Sequence, residues 1–219
     1  RALSNIVQHD AEAFVIYGEP QSGKTEMMIA LTAGLLDAGK KIVVVLTNDS
    51  VQLLEQNLAR FQSSGLDPAA KKFLDILDPV HNVREGEWVI FAKKNARDLQ
   101  RLTDKIGEVS GCVVIDDEAD YASPNGKVNR HEKSRINELI EKLIGVDGIY
   151  IGVTATPARL DLNMTFGNDN EQWVDFPPHT HYTGQDIFFP TDQRALEDLK
   201  FSLNLMSDGQ DDVQHLRVA

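Results

Sequence analysis

A glycine-containing octapeptide near the start of the chain constrains the fold more than any other part of the sequence. Residues 18–25 read GEPQSGKT and fit the pattern G-x-x-x-x-G-K-[ST] at every required position. The apolar run 14–17 precedes this segment, and a helix-forming stretch over residues 26–36 follows it. A strand, a glycine loop and a helix in this order direct backbone N–H groups and a helix N-terminus toward an anion. The sequence therefore predicts a phosphate loop, residues 18–25, within an α/β domain.

The residue types in the phosphate loop match the chemistry of binding a nucleoside triphosphate. Lys24 would reach the β- and γ-phosphates as a positive charge, and the Thr25 hydroxyl would be a ligand of Mg²⁺. The predicted cofactors are therefore ATP and Mg²⁺. An accidental Gly-Lys-Thr in a glycine turn is the alternative, and the flanking strand and helix argue against it. The predicted cofactor-binding residues are Gly18, Gln21, Ser22, Gly23, Lys24, Thr25 and Glu26.

Apolar, β-branched runs alternate with amphipathic segments through most of the chain. Short runs that are apolar almost throughout are typical of strands buried on both faces, as in parallel sheets. The sequence predicts strands over residues 12–17, 41–47, 87–92, 111–116 and 148–153, and helices over residues 24–38, 50–60, 96–109 and 131–144. The predicted fold class is α/β, with a parallel sheet, helices on both faces and an active edge at the carboxyl ends of the strands.

The strand–helix pattern weakens after Pro157. Residues 163–184 predict a long ordered loop because they are rich in polar residues, glycine and proline. Residues 186–189 are a candidate for one more strand, and residues 191–205 for a closing helix. The expected domains are an ATP-binding domain over residues 1–190 and a C-terminal helix with a polar tail over residues 191–219, leading to a second domain.

Four of the five residues 116–120, at the carboxyl end of the fourth predicted strand, carry carboxylates. Carboxylates this close repel one another unless a cation lies among them, and Mg²⁺ prefers oxygen ligands. We assign Asp117 to the metal and Glu118 to the attacking water; with the lysine of the phosphate loop, they are the predicted catalytic residues. Asp116 competes for the metal role because it directly follows Ile115, and Asp120 is expected to pair with a polar group behind the site. An acidic, solvated turn is the alternative.

The charge of the chain limits how it can bind nucleic acid. Its net charge is −12, whereas a domain that binds nucleic acid strongly by itself is usually basic. Any polynucleotide contact must therefore be local or shared with another domain. Lys93, Lys94 and Asn95, at the end of the third predicted strand, are the candidate contact, and a solvated basic turn is the alternative. The sequence has no apolar run long enough to span a membrane, and it does not begin with a basic and apolar leader. Cys112 is its single cysteine, which fits a reducing compartment. We therefore expect a cytoplasmic protein that does not enter a membrane.

Two further motifs carry a resemblance to a known family. Residues 117–120 spell the Asp-Glu-Ala-Asp box, and residues 154–156, Thr-Ala-Thr, look like motif III of superfamily II helicases. With the phosphate loop upstream, this order resembles the first RecA-like domain of those motors. The resemblance implies a RecA-like P-loop NTPase fold, ATP hydrolysis through the acidic box, and coupling of the nucleotide state to a second domain through Thr154 and Thr156. Hydrogen bonding at a strand end is the alternative role for the two threonines.

A narrower resemblance points to bacterial and phage-related proteins. The helicase-like domain called Z-one, a family of candidate endonucleases, is similar in residues 115–120, 122–123 and 154–158. This resemblance implies a part in a bacterial or phage DNA-processing or defence system. No Asp…Glu-x-Lys nuclease constellation stands out, so we do not predict nuclease chemistry. Residues 49–56 occupy the place of helicase motif Ia, but Asp49 and Val51 stand where the family has Pro and Arg.

The predicted function is that of the ATP-binding half of a nucleic-acid-dependent motor, with DNA favoured over RNA as the polymer. The resemblance implies a second RecA-like domain as partner, which supplies arginines that stabilise charge on the transferring phosphoryl group. Only about 60 residues follow Pro157, so we expect this chain alone to have weak ATPase activity or none. The alternatives are a packaging or remodelling ATPase of the same fold and a nucleotide-gated binding module without turnover.

Overall fold

A parallel sheet runs through the first of the two compact units, Arg1–Pro178 and His179–Ala219, into which the chain divides. The computed structural model describes residues 2–9, 12–107, 111–121, 130–156, 172–179 and 182. Within these residues the sheet has seven strands, in the order β3-β4-β2-β5-β6-β1-β7, and all neighbouring pairs are parallel. The strands are β1 (Ala13–Gly18), β2 (Ile42–Thr47), β3 (Lys71–Lys72), β4 (Trp88–Lys93), β5 (Val113–Asp117), β6 (Ile149–Thr154) and β7 (Gln172–Phe176).

Helices cover both faces of this sheet. The described helices are α1 (Ala2–His9), α2 (Lys24–Asp37), α3 (Val51–Ser63), α4 (Phe73–Ile76), α5 (Ala96–Ile106) and α6 (Arg130–Ile144), with a 3-10 turn at Ala119–Tyr121. Side chains alternate between the two faces of a strand. In β2, Val43 and Val45 therefore pack with apolar side chains of α2 and α3, whereas Val44 and Leu46 pack with those of α5 and α6. Each such side chain stabilises the fold by about 1.5–3 kcal/mol when fully buried.

This architecture confirms the predicted α/β class with a parallel sheet and helices on both faces. The five predicted strands correspond to β1, β2, β4, β5 and β6, with ends that differ by one or two residues. Helix α1, strand β3 and the short helix α4 were not predicted. Among the described residues, no helix combines the length and the apolar composition needed to cross a membrane.

The prediction of a loop over residues 163–184 is wrong for residues 172–176, which form β7 and pair with β1. This strand lies at the edge of the sheet, where Val174 is buried and Asp175 is exposed. The apolar residues of β7 are therefore too few, and too interrupted by polar residues, to indicate a strand by themselves. Two other predicted elements lie outside the described residues, the strand over 186–189 and the helix over 191–205.

The strand order brings three loops together at one edge of the sheet. Strand β6 lies between β1 and β5, and Tyr17 of β1 pairs with Thr154 of β6. On its other side, β6 pairs Val153 with Asp117 of β5. Because carboxyl ends of parallel strands share one edge, the phosphate loop, the Thr-Ala-Thr segment and the acidic cluster become neighbours.

Candidate nucleotide-binding site

The phosphate loop forms the turn between β1 and α2 and depends on glycine at two positions. Gly23 caps α2 with a φ of 91°, and exposed Gln21 has a φ of 59°, so the loop twice enters the left-handed region. A Cβ atom added to Gly18 would lie 3.1 Å from Cγ of Lys24 and 3.2 Å from Oγ of Ser22. Gly18 is therefore required by close packing and Gly23 by its backbone conformation.

Two polar side chains of the phosphate loop are available to a phosphate. The Nζ atom of Lys24 donates to the carbonyl oxygens of Gly18, at 3.1 Å, and Glu19, at 2.7 Å. Oγ of Ser22 is buried and has no hydrogen-bond partner among the described residues. Buried polar atoms are normally hydrogen-bonded, and a phosphate oxygen would satisfy this one. Glu26 is exposed in the first turn of α2, where an acidic side chain favours the helix dipole.

The acidic turn, residues 116–120, lies within electrostatic reach of Lys24. Burial lowers the pKa of Lys24, and the carboxylates of Asp117, Glu118 and Asp120 oppose that change. Burial also raises the pKa of Asp117 to about 6; Glu118 adds to this rise, and Lys94 and, less strongly, Lys24 oppose it. The structure thus brings together the three predicted catalytic residues, one from the loop after β1 and two from the end of β5.

The two adjacent aspartates at the end of β5 face opposite sides of the sheet. Asp117 lies on the α3 side, where Nδ2 of Asn57 donates to its Oδ2 at 3.3 Å. Asp116 is buried on the other side: its Oδ1 lies 2.8 Å from Nζ of Lys94, and its Oδ2 accepts from the Tyr150 hydroxyl at 2.9 Å. Because Asp116 is engaged there, the geometry favours Asp117 for the metal role.

Glu118 is exposed and is held by its backbone and by its side chain. Its φ of 54° places it in the left-handed region. The Nζ atom of Lys94 donates to the carbonyl oxygens of Asp117, at 2.9 Å, and Glu118, at 2.8 Å. Nδ2 of Asn48 donates to Oε2 of Glu118. The ammonium of Lys94 therefore lies buried beneath the acidic turn, and the side-chain amide of Asn48 contacts the candidate catalytic carboxylate of Glu118.

The three candidate nucleic-acid contacts have different surroundings. Lys94 is 6% exposed, and its ammonium is used inside the protein, which does not favour a phosphate contact. Asn95 caps α5: its Oδ1 accepts from N of Asp98 at 2.8 Å. The side chain of Lys93 is 24% exposed, and its Nζ lies 2.8 Å from Oδ1 of Asp49. Of the three residues, only Lys93 keeps a charged group near the surface.

The two threonines of the Thr-Ala-Thr segment bind the acidic turn. The Thr154 hydroxyl donates to Oδ1 of Asp120 at 2.7 Å, and the Thr156 hydroxyl donates to Oδ2. N of Thr156 donates to Oγ1 of Thr154 at 3.0 Å. Asp120 thus pairs with polar groups behind the site, as expected. A Cβ atom at Gly152 would lie 3.2 Å from Cβ of Ala119, so β6 and the acidic turn approach closely.

Three site residues escaped the sequence analysis. Asn57 contacts Asp117, and Nη1 of Arg60, on the same face of α3, lies 3.4 Å from Oγ1 of Thr25. Asn48 follows β2 and contacts the acidic turn. The spacing of Asn57 and Arg60 marks one helix face, but only the packing of α3 against the phosphate loop assigns that face to the site.

The donor set fits Mg²⁺ bound together with a nucleotide. Thr25 offers a hydroxyl and Asp117 a carboxylate, both oxygen ligands of the kind that Mg²⁺ prefers. Within the described residues, no group of three or more His, Cys, Asp or Glu side chains is arranged to hold a metal. The remaining ligands would therefore come from phosphate oxygens and water, which is how Mg²⁺ usually binds with nucleotides.

Comparisons with known proteins find one matching family and several structures of similar fold. The family described as "Type III restriction enzyme, res subunit" matches residues 1–159. Two structures of the DUF1998 helicase MrfA, one of them bound to DNA and AMPPNP, are similar with TM-scores of 0.53 and identities of 15% and 16%. The helicase domain of Pyrococcus furiosus Hef has a TM-score of 0.47 and 17% identity, over 80% of this chain and 38% of that chain. A comparison with curated protein sequences found no match.

Both MrfA alignments cover 80% of this chain, which spans only 29% and 26% of those helicase chains. At these identities the similarity concerns the fold alone, an α/β RecA-like fold. The family match, over residues 1–159, contains the phosphate loop, the acidic turn and the Thr-Ala-Thr segment. On this match, the chain belongs to the family of type III restriction enzyme res subunits.

Proposed function

We propose that this chain is the ATP-binding domain of a nucleic-acid-dependent ATPase and that it hydrolyses ATP with Mg²⁺. The observation that carries the proposal is the placement of the phosphate loop and the acidic turn at the edge shared by β1, β6 and β5, which brings Lys24 near Asp117 and Glu118. A phosphate loop alone can bind phosphate, whereas a phosphate loop beside an acidic pair can also hold a metal and direct a water. Membership of a restriction-enzyme family supports the same function.

The residues of the site would have separate parts in this reaction. Mg²⁺-ATP, when bound, supplies a γ-phosphoryl group that water can attack. Lys24 would exchange its two carbonyl partners for oxygens of the β- and γ-phosphates. Thr25 and Asp117 would hold the metal. Glu118 would orient the attacking water and accept its proton, because its side chain is exposed beside the phosphate loop.

The proposed partners are nucleic acid, with DNA favoured over RNA, and a second RecA-like domain. The MrfA structure bound to DNA and AMPPNP supports this choice, although it is a much longer chain. Lys93 would contact the phosphate backbone. Thr154 and Thr156 would couple the acidic turn to the second domain through Asp120. A role in bacterial or phage DNA processing or defence, which the Z-one resemblance implies, is the narrower form of this proposal.

Calorimetric titration of the chain with Mg²⁺ and a non-hydrolysable ATP analogue tests the proposal. We expect the wild-type chain to take up one nucleotide, Lys24→Ala to lose that uptake and Glu118→Gln to retain it. Lys41→Ala is the matched control, because it removes the same charge from an exposed position at the opposite end of the sheet. No uptake by the wild-type chain would overturn the proposal.

A nucleotide-gated binding module without turnover is the second candidate function. The contact of Asn48 with Glu118 favours it, because a carboxylate held by an amide is not free to activate water. A module of this kind would bind its partner only with nucleotide, and Glu118→Gln would leave that binding and the negligible hydrolysis unchanged. Nucleic-acid-stimulated hydrolysis that Glu118→Gln abolishes would exclude it.

A further inference from the structure

We propose that Asn48 is a positioning residue that holds the carboxylate of Glu118, and that a phosphate backbone bound at Lys93 releases it. This proposal rests on the proposed function, because it assigns the regulation of the same site. It concerns the β2 turn, Asn48 and Asp49, which lies outside the phosphate loop, the acidic turn and the Thr-Ala-Thr segment.

The β2 turn lies between two functional loops because β2 lies between β5 and β4 in the sheet. The acidic turn follows β5, and Lys93 ends β4. Within the β2 turn, the carbonyl oxygen of Asn48 accepts from N of Ser50 at 2.6 Å. The hydroxyl of Ser50 in turn caps α3 by accepting from N of Leu53 at 3.3 Å. A turn this short, fixed at the start of a helix, transmits a displacement of Asp49 to Asn48.

One side of the β2 turn holds the candidate catalytic carboxylate. Nδ2 of Asn48 donates to Oε2 of Glu118, and Oδ1 of Asn48 is buried without a hydrogen-bond partner among the described residues. This amide fixes the direction of the carboxylate and occupies an oxygen that would otherwise accept a proton from water. In the arrangement that the structure shows, Asn48 therefore keeps Glu118 in a resting position.

The other side of the β2 turn is held by a surface cation. Oδ1 of Asp49 accepts from Nζ of Lys93 at 2.8 Å and from Nδ2 of Asn95 at 2.9 Å. The hydrogen bond from Lys93 is the largest cause of the lowered pKa of Asp49, and the same bond raises the pKa of Lys93. Asp49 is therefore held by two side chains at the end of β4, and Lys93 is the charged one.

A phosphate backbone would compete with Asp49 for this cation. The side chain of Lys93 is 24% exposed, and that of Asp49 is 55% exposed, so the pair meets solvent. Exposed ion pairs are weak, and a polyanion brings several phosphates to one lysine. When Lys93 turns to a phosphate, Asp49 keeps only its hydrogen bond from Asn95 and loses its ion pair, so the β2 turn can move and free Glu118. Thermodynamic linkage then requires that freeing Glu118 also strengthens nucleic-acid binding.

NMR signals of asparagine side-chain amides in the full chain test both halves of this proposal. Labelling with ¹⁵N-asparagine makes these amides visible, and Asn48→Ala identifies the Asn48 signal by its loss. Glu118→Ala should shift this signal because it removes the acceptor. Lys93→Ala, and Lys93→Gln, which removes the charge but keeps a polar side chain, should shift it in the same direction without any ligand. A single-stranded oligodeoxynucleotide should shift the wild-type signal likewise and the Lys93 variants little further.

Each outcome decides one part of the proposal. An Asn48 signal that is unchanged in Glu118→Ala would overturn the positioning role. A signal that is unchanged in both Lys93 variants would overturn the link through Asp49. Failure of the oligonucleotide to bind the wild-type chain, or binding without a shift, would overturn the release. Lys41→Ala is the charge-matched control at the amino end of β2, and its Asn48 signal should behave as in the wild type.

Calorimetry with Mg²⁺ and the ATP analogue on the same samples separates this proposal from the proposed function. If the expected amide shifts occurred without nucleotide uptake, the proposed function would be wrong, but the contacts of the β2 turn would be established. Normal uptake with unchanged amide signals would defeat only the role assigned to Asn48.

Discussion

Nζ of Lys94 lies 2.8 Å from Oδ1 of Asp116, and both side chains are 2% exposed. The pair lies beneath the acidic turn, where the same ammonium also donates to two carbonyl oxygens. Removing one partner of a buried pair costs about 3–5 kcal/mol, because the other charge remains buried. We therefore expect Lys94→Met to lower the free energy of unfolding by this amount, as measured by urea denaturation.

Two further variants decide whether the buried charge causes the loss. Combining Lys94→Met with Asp116→Asn should restore part of the stability, because no buried charge then remains unpaired. Lys93→Met should cost less than about 1 kcal/mol, because its ion pair is exposed. Equal losses for the neighbouring lysines would contradict the assignment.

The raised pKa of Asp117 predicts a pH dependence of stability. Its folded-state value of about 6 lies above the ordinary 3.8, so between these values the folded chain binds a proton that the unfolded chain does not. The contribution of Asp117 to the free energy of unfolding is therefore present at low pH and is lost as the pH rises from about 4 to 6. Urea denaturation across this range measures it.

Asp117→Asn isolates this contribution because it removes the titrating group at constant shape. The difference in unfolding free energy between wild type and variant should change with pH only within that window. A parallel pair of stability curves would show that the carboxyl has its ordinary pKa.

Gly18→Ala should weaken both the fold and the site. The added carbon would lie 3.1 Å from Cγ of Lys24 and 3.1 Å from Cδ1 of Phe176, and overpacking of this kind costs about 1–3 kcal/mol. Because displacement of Lys24 moves the phosphate-binding charge, we expect nucleotide affinity to fall by about tenfold or more. Gly39→Ala is the control for the site: its φ of 85° makes the variant strained, but the added carbon meets no atom within 4 Å and the strain arises beyond the C-terminal end of α2, so stability should fall while nucleotide affinity should not change.

Thr154→Val should destabilise the acidic turn while leaving nucleotide uptake in place. The hydroxyl is fully buried and donates to Asp120, and hydrogen bonds to charged groups contribute about 1.5–3 kcal/mol. Thr103→Val is the control because that hydroxyl donates to a helix carbonyl on α5. Equal losses of stability in the two variants would show that the hydrogen bond to Asp120 stabilises the fold no more than a hydrogen bond to a helix carbonyl.

The parts of the structure that sequence reasoning predicted are those with local patterns. The phosphate loop is a single segment whose glycines and lysine have fixed spacing, and five strands are short apolar runs buried on both faces. Strand β7 has no such pattern, because its position at the edge leaves Asp175 exposed. Its strand conformation follows from pairing with β1, which a local pattern does not contain.

The candidate site shows the same division between local and long-range information. Lys93 and Lys94 are equivalent as letters, but one forms an exposed pair and the other lies beneath the acidic turn. Successive side chains of a strand face opposite sides of the sheet, so this alternation, continued past the end of β4, could have distinguished the two lysines once the register of β4 was known. Asn57 and Arg60 depend on how α3 packs against the sheet, which sequence spacing does not define.

The place of β1 in the sheet determines when a newly synthesised chain can form its nucleotide-binding site. Phe14 pairs with Ile151 on one side and with Gln172 on the other, and both neighbours are translated long after it. On the ribosome, β1 therefore has two open edges until β6 has emerged and one until residue 176 has emerged, a state that exposes it to chaperones or aggregation. Nascent fragments that end before β6 would carry the complete phosphate-loop sequence without either of the strands that flank β1.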